Sequence, residues 1–222
     1  MSLVPIFSPV AATPATISYI GTASDAGNAT TYTFSSQAIG TAGANRQVVV
    51  CTAASGTTAG TMTDSSVTVG GTALTQIVSL IPLGTDGYRM AMWAGTVAVG
   101  TSVSIVVTWS KTGRECAILT WALYDATVGA DATATSTADP PSTTIAIPTN
   151  GGAIGCMLNQ NSASTVWTNM TENVDGAGVG NILLLSGASD ISQQGTTPTI
   201  TATPNNAGQA RRGLILASWA PV

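Results

Sequence analysis

Short runs of β-branched and apolar residues, broken roughly every 8–12 residues by Gly, Pro or Asn, limit what this chain can fold into more than any other feature. Arg46–Thr52 reads RQVVVCT, between Gly43-Ala44-Asn45 and Ser55-Gly56. Ser66–Val69 is followed by Gly70-Gly71, after which Thr72–Leu80 resumes the alternation. A Gly-Gly pair between two such runs predicts a tight hairpin. Tyr88–Val99 and Ser102–Trp109 are further strands, and Lys111-Thr112-Gly113 reads as a turn. Glu115–Tyr124, ECAILTWALY, is nearly all apolar, the pattern of a strand buried on both faces.

Asp125–Ser142 differs in texture. It is poor in large apolar residues and ends in Asp139-Pro140-Pro141, so it reads as a long loop or an edge strand. Thr143–Ile147 and Gly152–Leu158 flank a turn at Pro148-Thr149-Asn150-Gly151. Thr165–Met170, Asn181–Leu185, Thr197–Thr203 and Gly213–Trp219 complete about a dozen strands, the last two separated by the turn Pro204–Gly208. Thr, Val and Gly all disfavour helix. The expected fold is therefore all-β, a jelly-roll-like antiparallel β-sandwich with little or no helix. Residues 16–222 form one domain with a long loop near 125–142. Residues 1–15 form an extended N-terminal arm, because Pro5, Pro9 and Pro14 forbid regular ladder pairing.

Composition narrows the function. Only 7% of the 222 residues are charged, against about a quarter in an ordinary soluble domain. Six basic residues, Arg46, Arg89, Lys111, Arg114, Arg211 and Arg212, are scattered along a chain of net charge −4. Nucleic-acid binding needs clustered cations, so no direct nucleic-acid partner is expected. No stretch is apolar enough to cross a membrane as a helix, and no membrane partner is expected. The N-terminal MSLVPIFSPVAATPAT lacks a basic n-region and is interrupted by proline, so it does not read as a secretory leader; folding in a reducing cytosol is expected.

Chemistry is scarce. The chain has no histidine, which removes Ser–His and Cys–His catalysis. It has a single lysine, Lys111, and no GxSxG, P-loop or GxGxxG motif. No catalytic residue, cofactor or metal site is assigned, and the chain does not read as an enzyme. The acids Glu172 and Asp175 follow Trp167, and paired acids beside an aromatic serve glycosidases. The polar-loop reading of TENVDGAG is preferred. Asp125 and Asp131 read as turn formers. Cys51, Cys116 and Cys156 each sit in an apolar run and are odd in number, so they read as buried thiols rather than a disulfide framework. No CxxC spacing suggests zinc. Of five tryptophans, Trp109 and Trp121 read as core. Trp167, flanked by Thr and Asn, is the strongest candidate for an exposed contact, although core packing is the commoner fate of such a ring.

One portion has a familiar order. Arg46–Asp125 runs from a β-branched strand through SSVTVGGTALT, an aromatic strand with Trp93 and VAVGTSVSIVVTWS to a strand ending in LYDA. This resembles the jelly-roll-like β-sandwich domains of tailed-bacteriophage and prophage virion proteins. The ending GLILASWAPV is similar to their closing strand. The resemblance covers about half the chain. It implies a virion surface protein, most simply a head decoration (cement) protein, assembled in the host cytoplasm. Its partners would be the major capsid protein and neighbouring copies of itself, and a homotrimer would suit a shell lattice. Val4, Ile6 and Phe7 of the arm would then fill pockets on a neighbour, against the plainer reading of a frayed terminus. The alternative is a carbohydrate-binding or adhesin-type module in a tail or fibre, with a glycan stacked on Trp167.

Overall fold

A computed structural model describes residues 12–56, 62–82, 87–160, 164–179, 183–205 and 211–222. Every regular element among them is a β-strand, and all the pairings are antiparallel. The first half of the chain supplies one sheet: β1 Thr16–Asp25, β2 Ala29–Ala38, β3 Gln47–Gly56, β4 Asp64–Val69, β5 Thr72–Ala73, β6 Thr75–Leu80, β7 Tyr88–Thr96 and β8 Ser102–Tyr124. The Gly70-Gly71 hairpin forms as the sequence predicts. Val69 pairs with Thr72, and both glycines have positive φ (57° and 82°), as a type I′ turn requires.

The sheet is organised by β8, a strand of 23 residues. Straight, it would measure about 75 Å at roughly 3.3 Å per residue, well beyond the width of a domain this size. It bends between Trp109 and Gly113. There β2 skips from Thr31↔Thr108 to Ala29↔Gly113, and β3 skips from Ser55↔Glu115 to Gly56↔Gly113. The first half of β8 pairs with β2 and β4, and the second half with β1 and β3. The expected turn at Lys111–Gly113 is therefore a bulge, and the chain carries on without reversing. The bulge also exchanges faces. Ile105, Val107 and Trp109 point into a core that Cys116 and Ile118 enter from the other half of the strand. Rolled up this way, the sheet is nearly a closed barrel, filled by Tyr32, Phe34, Val48, Val50 and Trp93 among others.

The second half of the chain adds two sheets. Strands β13 (Thr171–Val179), β14 (Leu183–Asp190), β11 (Gly152–Asn159), β16 (Arg212–Trp219) and β9 (Ala132–Ser136) form one, in that order. Strands β10 (Ser142–Thr144), β15 (Thr199–Pro204) and β12 (Thr165–Thr168) form the other. Of the two readings of Asp125–Ser142, the edge strand is realised as β9, which pairs through Ala134↔Leu216. Its small side chains suit a strand with a neighbour on one side only.

The five-stranded sheet closes a sandwich on the barrel. Val49, Cys51, Leu119 and Trp121 meet Ile154, Cys156, Leu185, Ile215 and Trp219 in a core shared by both halves of the chain. Its other face meets the three-stranded sheet through Met157, Leu214, Leu216, Trp167 and Ile200. The fold is an antiparallel β-sandwich with this small sheet as an added layer. The continuous apolar runs of β11 and β16 follow from this position between two cores.

Candidate functional site

Two consecutive polar residues at the start of β3 are buried, Arg46 fully and Gln47 nearly so. They point to opposite faces of the sheet, and each holds a loop. The Arg46 guanidinium donates to backbone carbonyls: Nε to Val97 (2.8 Å), Nη1 to Gly40 and Gly100 (2.8 Å each), and Nη2 to Val97 and Val99 (2.9 Å to the latter). All five of its N–H donors can be used this way, which is how a buried cation is satisfied. The Gln47 amide donates to the carbonyls of Ala126 (2.9 Å) and Thr127, and its oxygen accepts from the Gly129 N–H. The loop 97–100 and the loop 126–129 are thereby fixed at one end of the sandwich.

These loops display apolar side chains in water. Val99 is 78% exposed and Val128 is 80% exposed. Val222 is 60% exposed, and its N–H is bonded to the Asp125 carbonyl beside the same loop. Val128 separates two open clefts. One, of about 390 Å³, is lined by Thr75, Ile77, Ala94, Gly95 and Ala130 among others. The other, of about 370 Å³, is lined by Ala44, Asn45, Thr96, Ala126 and Val222. Among the described residues, no ionisable side chain lines either cleft. Such a surface can bind through shape and apolar contact.

The chain also enters the fold at this end. Ala15 is buried and its N–H donates to the Asn150 carbonyl (2.8 Å), just before Thr16 pairs with Tyr124. Val4, Ile6 and Phe7 lie outside the described residues.

Trp167 is not an exposed platform. In β12 the odd-numbered Thr165 and Trp167 point inward, while Val166 and Thr168 point to solvent. Of the polar neighbours that suggested an exposed ring, Thr168 lies on the outer face of the period-2 strand, Asn169 lies exposed past its end, and Thr165 shares the inward face. No Trp, Tyr or Phe among the described residues is classed as exposed, which leaves the glycan reading without a stacking surface there.

The acids Glu172 and Asp175 do come together. Both oxygens of Asp175 accept from the Thr165 N–H (3.0 and 3.1 Å), and Oδ1 also accepts from Ser186 Oγ (2.7 Å). Asp175 thus ties β13 to β12 and β14, which is a bracing role. Glu172 is exposed beside it. Partial burial, then the Asp175 charge and hydrogen bond, raise the Glu172 carboxyl above its ordinary value of 4.5. Sequence reasoning passed over Arg46 and Gln47. The one available signal was a charged and a polar residue abutting the apolar run VVVC.

No protein-family model matches the chain, and no curated protein matches it.

Two predictions follow from this geometry. Replacing Arg46 with Met leaves the carbonyls of Gly40, Val97, Val99 and Gly100 without a donor, and should cost at least ~3 kcal/mol in urea unfolding. A loss under ~1 kcal/mol would remove the clamp from the account. For Glu172, a raised folded-state pKa means that its contribution to stability is fully present below 4.5 and is lost as pH rises through the raised value. Glu172→Gln should accordingly match the native protein in acid and exceed it in stability at neutral pH. A difference that stays constant with pH would contradict this.

Proposed function

We propose that the protein is a structural component of a virus particle, a head decoration protein of a tailed phage that seats between shell subunits through the valine-bearing end of the sandwich. One observation carries the reading: Val99 and Val128 stand in solvent on loops that buried Arg46 and Gln47 hold in place, and exposed Val222 lines a cleft with Val128. Flexible loops would collapse such side chains onto the fold. A clamped loop keeps them available, and ordering it costs little further entropy on binding. Exposed apolar surface rimmed by polar groups is an ordinary mark of a protein–protein contact, and Val128 and Val222 line one cleft together.

The work of such a protein is mechanical. Apolar area buried against the shell contributes about 25 cal/mol per Å², and that area must be separated before the shell opens. A surface with few charges lets many copies approach one another with little like-charge repulsion. Ala15 joins the fold at the same end, which supports a further contact with a neighbouring subunit through an arm carrying Val4, Ile6 and Phe7.

Particles assembled with variants test the proposal. Val128→Asp changes an exposed loop side chain, so its stability should stay within ~0.5 kcal/mol of native. Its occupancy on particles should fall at least tenfold. Deletion of Ser2–Thr13, which spares buried Ala15, should weaken occupancy with the fold intact. Native occupancy of both variants would overturn the assignment of this end as the docking surface.

A further inference from the structure

We infer that Cys51 and Cys156 form a redox-responsive pair, which closes into a disulfide between the two main sheets of the folded protein. The register places them face to face. Across the barrel sheet Cys51 lies between its partners Leu119 and Met92. Across the five-stranded sheet Cys156 lies between its partners Gly187 and Ile215. The two rows are in contact at their flank, because a Cβ built on Gly187 would fall 2.8 Å from Leu119 Cδ1. Moving one strand along each row brings Cys51 over Cys156. Both are fully buried in the same shared core. Burial, followed by the adjoining Cys51 thiol, pushes the Cys156 thiol well above its ordinary value.

A disulfide needs α-carbons about 4.4–6.8 Å apart, whereas packed sheets usually sit about 10 Å apart. Closure therefore needs small neighbours. Gly187, Ala53 and Ala117 supply them on this part of the interface. The third cysteine stays out of the pair. Cys116 pairs with Ala54 in register and faces the barrel core, on the opposite side of the sheet from Cys51.

The oxidant is a small-molecule disulfide of the glutathione type. One protein thiolate attacks it, one glutathione leaves as a thiol, and the second protein thiolate displaces the other. In sum, two protein S–H bonds and one external S–S bond are exchanged for one protein S–S bond and two external thiols. With both thiols buried and Cys156 held protonated, exchange must wait for local opening. The pair therefore persists as thiols where the chain folds in a reducing compartment, and it closes slowly after transfer to an oxidising one. This inference does not depend on the virion proposal.

The test uses the full chain, held either in dithiothreitol or in oxidised glutathione with a low concentration of urea to permit opening. Each sample is then unfolded, alkylated, mapped by peptide mass and, in parallel, melted. The expected result is three alkylated cysteines in the reduced sample and Cys116 alone in the oxidised one. A peptide linking Cys51 to Cys156 should appear, and the melting temperature should rise by roughly 5 °C or more. Cys156→Ala should abolish the shift, and the native-chain mapping stands even where that variant fails to fold. Three alkylated cysteines after oxidation, a stable glutathione adduct, a bridge that includes Cys116, or an oxidised form that melts lower would each overturn the inference.

Discussion

Burial of the second half of β8 on both faces is the constraint on which the other layers depend. A strand in that position has no solvent-facing side, so its side chains must be apolar and its backbone must be paired along both edges. β1 and β3 provide the pairing, while the barrel core and the shared sandwich core cover the faces. Thr120 and Thr52 are among the few polar groups admitted, and Thr52 is bonded to Trp93 Nε1 (3.3 Å) and to the Ala91 carbonyl (3.4 Å). Where the strand emerges, Glu115 accepts from Ser55 Oγ (3.0 Å), and beyond it the bend begins. The bend carries the same strand into a second layer, so the barrel and the sandwich share one backbone.

Much of this architecture is legible in the residues. The apolar run Glu115–Tyr124 announces a doubly buried strand, Gly70-Gly71 announces its hairpin, and the three cysteines are buried thiols as their neighbours suggest. Other features are silent for physical reasons. Lys111-Thr112-Gly113 has the composition of a turn, but a bulge in a solvent-facing stretch uses the same residues. β1 and β2 escape notice because Thr, Ser and Ala dominate them, with Tyr32 and Phe34 alone marking the inward face of β2. Trp167 misleads because Thr168 belongs to the opposite face of its strand and Asn169 lies past its end.

The candidate site inverts the usual division of labour. A chain with six basic side chains buries Arg46 and Arg212, and it leaves valines in water at the loops that Arg46 and Gln47 hold. Sequence periodicity cannot announce such an arrangement, since it depends on which carbonyls the loop 97–100 and the turn at Gly40 bring within reach of one guanidinium. The result is an apolar end face whose clefts, among the described residues, are lined by no titratable side chain.

The most direct test of the central claim is the copy number of the native chain on purified particles from the source lysate, banded on a density gradient and quantified by mass spectrometry against the most abundant shell protein. The decoration reading predicts a number comparable to that of the shell protein. A handful of copies per particle would place the chain at a tail or fibre, and its absence from particles would contradict the account outright.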